Sequence, residues 1–266
     1  MRPAGWGRAV GLVAVALLVG FLLLPLLVLL GTSVSTTSYL AFPPKGFTLH
    51  WFTAVLADEA WMDAIWVSTK IAALATVLAA VVSMPAALAL TRGRLRFRSG
   101  LESLLTLPML VPQIVLGVGL LQWLLVLGVG RTLTGFVLAH TLLAMPFVLR
   151  SVLASLVAVP ITCERAAADL GATPWRRFWH VTLPLVRPGL GAGCLFGFGI
   201  SYINVEVSMF LATPTSTPLP VELLNHVTYT VDSTVSAVST LTVLIAFGAL
   251  LLLDRLTGLE RVGATP

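Results

Sequence analysis

The sequence predicts an all-α membrane protein with six transmembrane helices. Hydrophobic residues make up 58% of the 266-residue chain and charged residues only 10%, where a soluble domain carries roughly 25% charged residues. The apolar residues gather into runs of about 20, the length a helix needs to cross the hydrocarbon of a bilayer. The arginines, in turn, collect in alternate segments between those runs.

The first run is Val10–Leu30, behind Arg2 and Arg8. It is longer than the roughly 7–15 apolar residues of a secretory leader, and no small-residue cleavage pattern follows it, so a retained helix is expected. Further runs cover Ile65–Leu90, Leu104–Leu127 and Leu133–Leu153. A fifth is expected to start after Pro188 and reach about Leu211, and a sixth covers Val235–Leu253. One set of connecting segments holds Arg2 and Arg8, then Arg92, Arg94, Arg96 and Arg98, then Arg150, Arg165, Arg176, Arg177 and Arg187, then Arg255 and Arg261. The opposite set holds Lys45 and Arg131 against Asp58, Glu59, Asp63, Glu222 and Asp232. The positive-inside rule then puts both termini in the cytoplasm. The net charge of +5 reports this orientation rather than nucleic-acid binding.

Several chemistries find no support. His50, His140, His180 and His226 stand far apart, with no metal-ligand spacing. Cys163 and Cys194 make no disulfide framework and read as thiols. No nucleophile and base are paired, and no cofactor motif is present. Neither lysine, Lys45 or Lys70, closes a G-x-x-x-x-G-K-[ST] phosphate loop, so the chain cannot be its own ATPase of that type.

The polar segment between runs four and five, about 155–187, is the most informative. Thr162–Leu170 is alanine-rich and predicts a short helix. Gly171 suits its C-terminal cap, Thr173 can cap a second helix, and Pro174 fits that helix's first position. Pro184 is expected to end the second helix near Leu183. On residues alone this is either a helix–turn–helix knob for a partner or a connector resting on lipid headgroups.

The order Glu164-Arg165-Ala166-Ala167-Ala168-Asp169-Leu170-Gly171-Ala172, followed by Leu183-Pro184 and Pro188-Gly189, resembles the EAA loop of ABC importer permeases. "LPMLVPQIVLGVGLLQ" (Leu107–Gln122), "TSTPLPVELLNHVTY" and "FPPKGFTLHWF" are similar to the spermidine/putrescine branch. The resemblance implies a MetI-like permease fold with a cytoplasmic coupling helix that docks on an ATPase. It implies a first helix and periplasmic segment over 1–60, a transmembrane domain over 61–256 and a cytoplasmic tail over 257–266. It implies a bacterial inner-membrane location. The partners it implies are a second permease subunit, two ATPase subunits and a periplasmic substrate-binding protein, with the lipid bilayer around them. Glu164, Arg165, Ala166, Ala167, Asp169 and Gly171 are the coupling residues by this resemblance. The family's glutamate falls six residues before Gly171, at Arg165, so Glu164 stands one position out of register, about 100° round a helix.

Polar residues within the runs are candidates for a translocation path. Glu206, in "SYINVEVSMFL", is a functional candidate because an ionisable group within a span is costly; the other reading is that it reaches outer water or pairs with a partner subunit. In polyamine permeases this stretch often carries paired aspartates, at positions held here by Ile203 and Asn204. On a continuous helix Asn204 would lie about 200° from Glu206. Gln113, Asn204, Gln122 and His140 either line a path or join helices by hydrogen bonds. Lys70 is expected to snorkel. Pro108, Pro112 and Pro146 break the hydrogen-bond ladder and need neighbours or water to satisfy freed carbonyls, which suits a moving pathway and also occurs in static bundles. The alternative function is a self-contained secondary carrier, which internal repeats and midplane coupling charges would mark; no repeat is found, and Glu206 is the only coupling charge.

Overall fold

The computed structural model describes residues 4–93 and 95–257. Arg2, Arg94, Arg261 and all of the expected 257–266 tail except Thr257 lie outside the described residues, as does the side chain of Arg8. The described residues form twelve α-helices and no strand. They are α1 (Ala4–Ser33), α2 (His50–Ala57), α3 (Glu59–Arg92), α4 (Arg98–Thr106), α5 (Gln113–Val126), α6 (Leu133–Ala158), α7 (Ile161–Asp169), α8 (Pro174–Arg177), α9 (Leu183–Tyr202), α10 (Ser208–Leu211), α11 (Leu219–Tyr229) and α12 (Ser233–Thr257).

Four helices are long and apolar enough to cross a bilayer: Val10–Ser33 within α1, α3, α6, and the continuous helix Pro174–Tyr202. The pair Arg98–Met109 and Gln113–Val126 adds a fifth candidate, bent by 100° at its break. In α12 the apolar part Ser233–Ala249 lies at the short end of the length a crossing needs. Four or five spans thus stand where six were expected.

Two of the expected spans are corrected. The run Leu104–Leu127 is not one helix: Pro108 and Pro112 interrupt it, and Leu107–Met109 forms a single 3₁₀ turn. Both prolines are apolar enough to hide in a hydropathy window while removing backbone donors. The fifth helix does not begin after Pro188 or reach Leu211. It begins at Pro174, passes Pro184 and Pro188, and stops at Tyr202. A π-turn over Phe178–Thr182 makes this possible. It takes up an extra residue, with the Leu183 N–H donating five residues back to Phe178 O, and leaves Pro184 in the first turn of α9 just after the widened turn.

The described residues divide into two compact units, 4–62 with 223–245, and 63–93 and 95–222 with 246–257. In the first, the apolar face of α1 is bare: no residue of its most apolar window is buried, and Leu12, Phe21 and Leu22 are open, as a helix against lipid requires. Its far end is tied down by Thr32, whose hydroxyl donates to Ser236 Oγ at 2.9 Å. Trp51 Nε1 donates to Ser35 O at 2.9 Å, and Ser233 Oγ to Thr37 O at 2.9 Å.

The second unit is organised around α6. One apolar cluster joins Ala79, Met84, Ala87 and Leu90 of α3 to Ala144, Val148, Leu149, Val152 and Leu156 of α6 and to Val186 of α9. Another joins Ile71 of α3, Leu124 of α5, Phe136, Ala139 and Leu143 of α6, and Val207 and Leu211. The closest pairing is α6 with α9, antiparallel and seated on glycines four residues apart. A Cβ on Gly189 would lie 2.7 Å from Ser151 O, and one on Gly193 2.9 Å from Val148 Cα. One on Gly197 would lie 3.3 Å from Ala144 Cβ. This is the small-residue seam that lets helix backbones meet in a membrane.

Replacing Gly193 by Leu forces the α6 backbone away and should destabilise the protein by at least ~1–3 kcal/mol. Gly199→Ala, into open space, should leave stability unchanged or slightly raised. Thermal unfolding in detergent distinguishes the two; equal behaviour would contradict a close-packed seam.

Candidate functional site

Two places in the second unit bring polar chemistry together. The first is a pair of helix interruptions facing each other. Pro112 precedes α5, so Gln113 sits at the first helical position. On the other side, α9 stops at Tyr202 and α10 starts at Ser208, leaving residues 203–207 out of the helix. Asn204 lies in that gap, only 4% exposed. Its Oδ1 accepts from the Val207 N–H at 2.9 Å, replacing a helical bond that the gap removes. Its Nδ2 donates to Gln113 Oε1. Two path candidates named from sequence are therefore partners in one hydrogen bond between two broken helices.

His140 spans the same gap from α6. It is 1% exposed, with Nδ1 2.9 Å from Ser201 Oγ and Nε2 3.2 Å from Ser208 Oγ. One nitrogen donates and the other accepts, so a neutral ring satisfies both hydroxyls. Ser201 continues the Gly189–Gly193–Gly197 spacing by one more step of four. The seam thus delivers α9 to His140 at the point where the helix ends. Of the two uses open to His140, the structure shows the joining of helices.

Beside Gln113 a cavity of about 90 Å³ opens between Pro108, Met109, Leu143, Phe147 and Ile200. At about 30 Å³ per water it holds a few waters or one end of a small solute. Its lining side chains are apolar apart from the Gln113 amide, and none is charged.

Glu206 is corrected in its setting. It lies in the non-helical gap, so the expected 200° separation from Asn204 on a helix does not apply. It is half-buried and has no ion pair among the described residues. Its backbone carbonyl lies close to α5, 3.1 Å from where a Cβ on Gly117 would stand. Lys70, on α3, sits over the Trp66 ring at 5.3 Å, one turn away. Gln122 is exposed.

The second place is the 161–182 loop. α7 ends as expected at Gly171, whose φ of +83° is the left-handed conformation that glycine adopts freely. Gly171 N–H donates to Ala168 O at 2.9 Å and Ala172 N–H to Ala167 O at 3.0 Å. That pair of bonds is a Schellman cap. Thr173 then caps α8 with its hydroxyl, accepting from the Arg176 N–H at 3.4 Å, with Pro174 next in line. The second helix does not stop near Leu183, for the π-turn reason given above. Arg165, Ala166, Asp169 and Gly171 are exposed, and Ala167 is half-buried. Around them stand Leu170, 88% exposed, and Trp175, 69% exposed, with Trp175, Phe178 and Trp179 packed ring on ring. A rigid turn thus presents apolar and small residues rimmed by arginine.

Glu164 is spent inside the chain. Arg92, at the end of α3, donates through Nε to Glu164 Oε1 at 3.3 Å. Its Nη2 donates to Leu156 O at 3.2 Å and to Val159 O at 3.1 Å. Sequence reading counted Arg92 only as a topological charge. The available signal was Pro160, which leaves the Leu156 carbonyl without its helical donor and so in need of another.

Residues 79–259 match the family described as binding-protein-dependent transport system inner membrane component. The chain is 32% identical over 236 residues to the putrescine transport system permease protein PotI of Escherichia coli K12, covering 85% of this chain and 84% of the relative. It is 33% identical over 222 residues to the putative 2-aminoethylphosphonate transport system permease protein PhnV of Salmonella typhimurium LT2, covering 82% and 83%. It superposes with a TM-score of 0.70, at 17% identity and covering 94% and 97%, on a chain of a bacterial ABC transporter involved in the import of the acidic polysaccharide alginate.

The Gln113–Asn204 bond is testable by a double-mutant cycle. Gln113→Leu and Asn204→Leu should each destabilise the protein, and their effects should depart from additivity by ~0.5–3 kcal/mol in unfolding free energy. Additive effects would show that the two amides do not interact.

Proposed function

The chain belongs to the binding-protein-dependent transport system inner membrane component family, and on that premise we propose how it works as one half of a solute path driven from outside the chain. It is the permease subunit of an ABC importer, a transport component and not an enzyme. Family membership decides against a self-contained carrier. The observation that carries the mechanism is the 161–182 surface: exposed Leu170 and Trp175 on a capped turn, in a chain with no phosphate loop. Small residues at Ala166 and Gly171 admit close approach of a partner backbone. We assign this surface to the ATPase, with Arg165 and Asp169 as the charges at its edge and Ala167 behind it. Glu164 contributes indirectly, through its internal ion pair.

The path side is the facing pair of helix interruptions. Gln113 and Asn204 pin them together beside the cavity, and Glu206 lies in the same gap. Putrescine and 2-aminoethylphosphonate, named for the relatives, both carry an amine that is cationic at neutral pH. A small aminated solute suits a gap that holds a carboxylate and amides. The assembly on this reading has two permease chains, two ATPase chains and a periplasmic binding protein, in the bacterial inner membrane. Both termini face the cytoplasm, following the arginine distribution. α12 completes a sixth span, since its 25 residues extend roughly 37 Å.

Gly171→Val strains the left-handed turn and should leave insertion intact while abolishing the solute-dependent rise in ATP hydrolysis of the reconstituted complex. Arg165→Glu should weaken copurification with the ATPase. Full copurification and stimulation in both variants would remove this surface from the ATPase interface.

A further inference from the structure

The Arg92 junction has a chemical logic of its own. Within α6 the carbonyl of Leu156 would ordinarily accept from the N–H four residues on. That residue is Pro160, which has none. The carbonyl of Val159 faces the same deficit, because the Cys163 N–H donates to Pro160 O at 3.2 Å instead. Both carbonyls are taken by one guanidinium nitrogen of Arg92, while Nε of the same group holds Glu164 in the first turn of α7. The group is largely shielded, with 21% of the Arg92 side chain and 15% of the Glu164 side chain exposed. A planar fork with five donors can serve three acceptors in fixed directions; a lysine ammonium cannot reproduce that geometry.

We propose that Arg92 is a positioning residue of the transport cycle: it locks the start of the partner-binding loop to the ends of α3 and α6, so that displacement of the loop is delivered to both membrane helices together. Resting on the reading that the 161–182 surface meets the ATPase, it adds the element that carries the motion inward. Without the lock, α7 hangs from α6 by a proline-interrupted joint with two free carbonyls, and loop motion is absorbed there. The one-residue displacement of the acidic residue from the family pattern has a consequence on this view. Glu164 serves the internal lock, and the outward-facing charge at the usual position is Arg165.

The test uses the full complex of this chain with its ATPase, with spin labels at Ala89 on α3 and Asp169 on α7, both exposed. The distance distribution is recorded without nucleotide and with ATP under non-hydrolysing conditions. In the parent protein the distribution should be the same in both states. Arg92→Met should make it nucleotide-dependent, with a shift of about 5 Å, the rise of one helical turn, or an added broad component. Glu164→Gln should give part of that change, and Arg92→Lys should fail to restore the parent behaviour. The double swap Arg92→Glu with Glu164→Arg restores the charge pair but not the carbonyl bonds, and should stay nucleotide-dependent. A parent distribution that already shifts with ATP, or an Arg92→Met distribution that does not shift, overturns the proposal. Copurification of the ATPase with the unlabelled parent protein checks docking separately; its absence would sink the coupling reading itself.

Discussion

The approach of α9 to α6 along Gly189, Gly193 and Gly197 is the constraint from which the rest of the second unit follows. In lipid there is no water for apolar side chains to escape, so helices hold together by close contact of their surfaces. Three missing side chains at steps of four let the α9 backbone rest against Val148, Ser151 and Ala144. That contact fixes the axial register of the hairpin. Register then determines that Ser201 meets His140 and that the end of α9 lies beside the start of α5.

The interruptions in this chain show how a membrane protein handles freed backbone groups. Each proline removes a donor, and in a bilayer the orphaned group must find another partner. Pro184 is accommodated by a π-turn, Pro112 by beginning a helix, and Pro160 by Arg92 reaching across from α3. In the gap at 203–207 the amide of Asn204 and the ring of His140 supply the bonds that a continuous helix would have made. The buried amide of Asn204 and the ring of His140 therefore stand where helices break.

Much of this was legible in the sequence, and what was missed has physical reasons. Hydropathy located the long helices because a bilayer demands a fixed apolar length. The turn at Gly171 was readable because glycine, threonine and proline stand in the order that local backbone chemistry requires. The break in the third run was hidden because Pro108 and Pro112 are themselves apolar. The run through Pro184 was missed because a π-turn shifts the register by one residue and leaves no compositional mark. Glu206 was placed on a helix face because nothing nearby in sequence signals that α9 stops at Tyr202. Arg92 was missed because its three acceptors lie more than sixty residues away. The glycine seam was present as a repeat of four and could have been found by looking for it.

If the seam sets the register, α6 and α9 move as one body when the proposed ATPase contact drives the loop between them. The most direct measurement is the distance between spin labels at Ala154 on α6 and Leu185 on α9, both exposed, in the assembled transporter with and without ATP. The expected result is a single narrow distribution that does not change with nucleotide. A second population displaced by several ångströms in the ATP-bound state would show that the hairpin opens along its seam, and would contradict the account.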